Sequence, residues 1–214
     1  MARNKYPEET RKLIIEKATE LFLQKGYENT TVQDIIDNLG GLTKGAVYHH
    51  FPSKNDILLA VMTNIYAENH LLSDWEKVVK DESLNGKEKI KKMFAMSLSD
   101  PDEKRFASMK VDYKKSPEML SDYLNRSVNH LAPCYFEPAI NDGIKDGSIK
   151  TDYPKQLAQV MMVLANIWLN PLVFPCDSAE LKNKSLFLGE LAEKLGLDGM
   201  LDDIYPLLEK YAFE

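Results

Sequence analysis

Residues 30–54 read TTVQDIIDNLGGLTKGAVYHHFPSK, a stretch that resolves into two short helices and a tight turn. Thr31 suits an N-cap, because its hydroxyl can accept a backbone N–H that the first helical turn leaves unpaired. Asp34, three residues on, closes a capping box. Val32, Ile35, Ile36 and Leu39 then recur at the spacing of one helical face. Gly40 and Gly41 stop that helix, since glycine enters the left-handed backbone at little cost. Thr43 caps a second helix, Lys44-Gly45-Ala46-Val47-Tyr48-His49-His50, of about two turns. Phe51-Pro52 ends it, and Ser53 with Asp56 caps the next. Helix, glycine turn and second helix form the helix-turn-helix layout, whose second helix enters the DNA major groove.

Upstream, Pro7, Glu8 and Glu9 suit a first helical turn. Leu13, Ile14, Ala18, Leu21 and Phe22 keep helical spacing until Gly26. This helix predicts a three-helix head over residues 1–53. Downstream, Leu58, Val61, Ile65, Leu72, Trp75 and Val79 predict one long helix from Ser53 to about Lys80, a rigid connection with a lapse at Glu68-Asn69. Further helices are predicted over 87–99 and 103–114, and a long one from Ser116, which Pro133 and Pro138 must kink or interrupt. Pro154 opens the most apolar helix, and Leu181, Leu188, Leu191 and Leu195 repeat as a packing seam. Met200, Leu201, Ile204, Leu208 and Tyr211 suggest a last amphipathic piece. No β pattern is present. The fold class read from this is all-α, a small head followed by a larger helical body over residues 54–214.

The 214-residue chain is 44% hydrophobic and 28% charged, the balance of a globular protein. Its longest apolar run, Val160 to Ala165, is far short of the roughly 20 residues a membrane span needs. The polar opening MARNKYPEET offers no secretory apolar core, so a cytoplasmic protein with reduced Cys134 and Cys176 is expected. Net charge is −6, yet residues 1–55 hold eight Lys/Arg against seven Asp/Glu, and the rest carries 19 against 26. An acidic body on a near-neutral head fits a protein that meets phosphates with one end only.

The order Phe22, Gly26-Tyr27, Thr30-Thr31-Val32, Asp34-Ile35, Thr43-Lys44-Gly45, Tyr48-His49-His50-Phe51 and Ser53-Lys54 resembles the N-terminal head of the TetR-type transcriptional regulators. The likeness covers roughly residues 10–60, about a quarter of the chain. In the turn, Leu39-Gly40-Gly41-Leu42 carries one residue more than the family pattern. The resemblance implies a homodimer that binds a double-stranded DNA operator, an effector pocket inside the body, and repression as the usual output. It also implies phosphate contacts at Tyr48 and near His49 and Lys54. The residues themselves add that Thr31 and Thr43 sit at helix N-termini, which attract anions. Lys44 opposes the helix dipole, a cost that DNA would reverse, while Gly45 and Ala46 are small enough for close approach.

In the body, Met93, Phe94, Met109, Tyr113, Tyr123, Met161 and Trp168 are candidates to line a pocket for a small apolar effector, although ordinary core is the default for each. Leu164, Trp168, Leu181, Leu188, Leu191 and Leu195 are candidates for the dimer interface. A runner-up reading keeps the fold but lets the head work through protein partners rather than DNA. Against an enzyme, His130, Cys134 and Glu137 form no more than a chance cluster, and no phosphate loop, serine elbow or metal-ligand spacing appears. No cofactor is expected.

Overall fold

A computed structural model of the chain describes residues 7–68, 70–199 and 205–213. Its helices are α1 (Pro7–Lys25), α2 (Val32–Asp37), α3 (Lys44–His50), α4 (Lys54–Glu68), α5 (Leu71–Lys80), α6 (Gly86–Ser99), α7 (Pro101–Ser108), α8 (Pro117–Arg126), α9 (Glu137–Asp146), α10 (Pro154–Val163), α11 (Ser178–Lys194) and α12 (Tyr205–Phe213). Two π-helical stretches, Ser127–Phe136 and Leu164–Trp168, join α8 to α9 and prolong α10. The described residues contain no strand. They fall into two compact units, 7–68 with 105–119, and 70–104 with 120–199 and 205–213.

In the first unit α1 packs on α2 and α4, and α2 on α3. Ile14, Ala18, Phe22, Ile35, Val47, Ile57, Leu58 and Val61 are fully buried there. Phe22 meets Tyr27 edge to face at 5.2 Å, and the Tyr27 N–H donates to the Met109 carbonyl at 2.9 Å. The turn between α2 and α3 holds Gly40 and Gly41 at φ +62° and +101°, which is how it accommodates its extra residue. No atom beyond their chain neighbours lies within 4 Å of a β-carbon placed on either. Gly40→Ala and Gly41→Ala should therefore each cost about 1–2 kcal/mol through backbone strain alone. Urea midpoints of the two variants check this; a midpoint equal to the parent's would show that the turn relaxes.

Three sequence expectations are corrected. The single helix from Ser53 to Lys80 is two helices, because the polar run Glu68-Asn69-His70 carries no apolar stripe across the junction. His70 precedes α5 with no side-chain cap bond, and α4 and α5 belong to different units. The helix over 103–114 stops at Ser108: tertiary bonds capture the Met109 carbonyl and the Asp112 N–H, the latter on Glu28 at 3.3 Å, and Lys110 turns to φ 51°. Pro133, finally, does not interrupt its helix. It sits inside the π-helical stretch, where the Glu137 N–H reaches five residues back to the Ala132 carbonyl and the wider turn admits the ring.

The second unit is built around Trp75, Met93, Phe136, Ile140, Leu157, Met162, Leu181 and Leu188. α6 crosses α9 at Gly86 and Gly143, close enough that a β-carbon on Gly86 would strike the Gly143 nitrogen and the Ala139 carbonyl oxygen. The Gly86 N–H donates to Asp146 at 2.8 Å. Beside the crossing the buried Lys89 ammonium donates to the Val79 carbonyl at 2.8 Å and to Asp142 at 2.7 Å. The Lys89 bond, ahead of one from Lys145, holds the Asp142 carboxyl below its ordinary pKa. In the leucine seam of α11, Leu181 and Leu188 are 0% and 1% exposed, while Leu191 and Leu195 pack, partly buried, against the same core. The seam closes the protomer's own interior, as a stripe at this period does whenever a neighbouring helix of the same chain covers it. What α11 offers to solvent is Leu186 and Phe187, 59% and 56% exposed. Met200, Leu201 and Ile204 lie outside the described residues.

Candidate DNA interface and the cavity of the body

The helix-turn-helix is held by its caps. The Asp34 N–H donates to the Thr31 hydroxyl at 3.0 Å, and the Thr31 N–H donates back to the Asp34 carboxylate at 2.7 Å. Bonds from Thr31, ahead of Lys25, pull the Asp34 carboxyl down to about 2, so the box stays charged at any pH at which the protein works. The Ala46 N–H donates to the Thr43 hydroxyl at 3.2 Å and opens α3. Val47 is buried in the head core, while Thr43, Lys44, Gly45, Tyr48 and His49 are exposed. Ala46 is half-buried beside them. The Lys44 ammonium stands 5.7 Å from the centre of the Tyr48 ring, so a cation and a phenol share one end of the helix surface. No acidic residue occupies the first turn of α3.

Lys54 is held by backbone of the head. Its ammonium donates to the Tyr27 and Thr30 carbonyls at 2.8 and 3.0 Å and lies 4.0 Å from the Tyr27 ring centre. Burial lowers its pKa. Lys54 therefore ties the start of α4 to the loop that presents Thr31. Arg11, which patterning did not single out, lies 5.2 Å from the Phe51 ring centre.

The second unit encloses a cavity of about 60 Å³, on a scale where one water needs roughly 10–15 Å³. Phe94 and Met161 are among its walls, as expected, together with Trp75, Phe136, Met162, Leu188 and Asn166. Met93 is buried in the same core without lining the cavity, and Tyr123 and Trp168 do not line it either. Met109 and Tyr113 are buried in the first unit, with the helices of the head, and do not line this cavity. Leu188, read from sequence as an interface residue, is a cavity wall. Trp75 and Met162 were legible only as members of helical stripes.

A surface of the same unit gathers exposed apolar groups. The rings of Trp168 and Phe187 lie 5.8 Å apart, and Lys184 reaches over Trp168 and Phe174 at 5.6 and 5.7 Å. Phe174 and Val160 are about half exposed, and Leu164 comes one turn after Val160.

This geometry defines a helix-turn-helix DNA-binding head on a helical body. Residues 14–61 match the family model described as bacterial regulatory proteins, tetR family. The regulator YuxN of Bacillus subtilis is 48% identical over 58 residues, 27% of this chain and 20% of YuxN. In that match the chain spans a fifth of its relative's length. The repressor KstR2 of Mycolicibacterium smegmatis is 27% identical over 150 residues, 68% of this chain and 70% of KstR2. A TetR-family regulator from Pectobacterium atrosepticum shares the fold with a TM-score of 0.59, at 22% identity over 90% of this chain and 97% of that one. Over residues 14–61 the chain matches the head of the tetR family, and the rest shares the all-helical fold of a solved member.

Proposed function

We propose that the protein is a homodimeric, ligand-responsive repressor, reading a pseudo-palindromic operator with the head of residues 1–53 and sensing a small apolar effector with the body of residues 54–214. The observation that carries this reading is the exposed first turn of α3. A capped helix presents Thr43, Lys44, Gly45, Ala46, Tyr48 and His49 with no acidic group among them. Two such helices in a dimer would fall about 34–36 Å apart, or a multiple of it, matching half-sites on one DNA face. KstR2, similar to this chain over 150 residues, is a repressor by name. Dimer contacts are assigned to Val160, Leu164, Trp168, Phe174, Leu186 and Phe187, an apolar surface that a monomer would leave in water. An effector in the cavity favours one arrangement of the body and thereby changes operator affinity, and linkage requires operator DNA to change effector affinity by the same factor. Such a protein works in the cytoplasm, where its DNA is.

Selection of genomic fragments on the immobilised protein, followed by anisotropy titration across salt concentrations, tests the reading. Lys44→Ala and Tyr48→Phe should weaken operator binding with helicity and assembly unchanged, and loss of a phosphate contact at Lys44 should lower the salt slope by about one unit. A protein that binds no duplex at any salt concentration works instead through protein partners. If both variants bind as the parent does, the two side chains are structural.

A further inference from the structure

We infer that the effector is a neutral, compact carbonyl-type compound whose oxygen accepts a hydrogen bond from the indole N–H of Trp75. This rests on the reading of the cavity as the effector site. Trp75 is a cavity wall, only 4% exposed; its Nε1 finds no hydrogen-bond partner among the described residues and is closed to a molecule the size of water, so a ligand oxygen reaches it only as the walls shift. A buried donor left unmade costs free energy, so a group that meets it is favoured over one that only fills space. The ring cannot turn away to find a partner elsewhere, because Tyr135 and Phe136 hold it edge to face, each at 5.3 Å.

The other polar walls set the rest of the chemistry. The Ser97 hydroxyl already donates to the Met93 carbonyl at 3.0 Å. Asn166 makes only a long contact, 3.9 Å, from its amide nitrogen to the Met162 sulfur. No wall among the described residues carries a charge, so an ion would enter without a counter-charge from them, and a neutral molecule is favoured. The cavity's size admits only a few heavy atoms before the walls must move. Phe136 ends one π-helical stretch and Ala165 and Asn166 belong to the other, so widened turns flank the cavity on two sides.

The probes are cyclopentanone and methylenecyclopentane, which match in shape but exchange the acceptor oxygen for a methylene. Trp75 and Trp168 are the only tryptophans of the sequence, so a ¹⁵N-labelled sample shows two indole N–H signals, assigned with Trp75→Phe. The ketone should move the Trp75 signal downfield and bind about 3–10-fold tighter than the alkene, a preference that Trp75→Phe abolishes. Equal affinities with an unmoved Trp75 signal, or no binding of either probe at about 100 mM, overturn the inference. The comparison in the unmodified protein stands even if Trp75→Phe folds poorly. Operator titrations with each probe separate the two levels. Ketone bound at Trp75 with operator affinity unchanged upholds the cavity chemistry and removes the effector role. Operator affinity that responds to the alkene as it does to the ketone does the reverse.

Discussion

Gly86→Ala is expected to destabilise the protein by about 3 kcal/mol or more. The added methyl would enter space held by the Gly143 nitrogen and the Ala139 carbonyl oxygen, and backbone cannot swing aside as a side chain does. α6 and α9 must move apart, at the upper end of what overpacking costs. Separation would also stretch the Gly86–Asp146 bond and the Lys89–Asp142 pair, whose lysine is buried and whose carboxylate is 35% exposed, and leaving a buried ammonium short of its partner adds to the cost. Thermal unfolding should show a melting temperature lower by roughly 6–12 °C for a chain of this size. Gly143→Ala should destabilise as well, because its β-carbon would come within 2.9 Å of the Cβ of the buried, β-branched Ile149. Should Gly86→Ala melt with the parent, the crossing is looser than described.

The double variant Leu186→Glu/Phe187→Glu is expected to convert the dimer to a folded monomer. Both side chains are more than half exposed in the protomer, so the charges cost little there. At a two-fold interface each would be buried twice, opposite like charge and without a partner, at several kcal/mol per pair of subunits. Sedimentation at micromolar concentration should give the monomer mass with unchanged helicity and melting behaviour of the chain itself. Operator affinity should fall steeply, since one head then binds alone. Leu188→Glu is the contrast: it places a charge in the protomer's own core and should unfold the chain. A double variant that remains a dimer would move the interface elsewhere.

The helix-turn-helix was legible in the sequence because its signals are local. Thr31 with Asp34, Gly40-Gly41 and Thr43 each act within four residues, so a one-dimensional reading finds them. The anchoring bonds of Lys54 were not legible, for the opposite reason. Its partners, the carbonyls of Tyr27 and Thr30, are 27 and 24 positions away, and nothing in the spacing announces them. The α11 seam had the right period, but a stripe states that something covers it and not which chain supplies the cover. Met109 and Tyr113 were read as pocket candidates of the body, and their place in the compact unit of the head follows from long-range packing that no spacing shows. Trp75 stood in the predicted stripe, but an unmet indole N–H becomes visible only when every neighbour is in place.

The π-helical stretch at Ser127–Phe136 also sets the rotational phase of α9 behind it. One residue more or fewer in a helix turns the downstream segment by about 100°. Asp142 and Gly143 meet Lys89 and Gly86 only at the present phase. With the wide coil otherwise kept, deleting a single residue between 127 and 136 would swing both partners off α6, even where the deleted side chain is itself exposed.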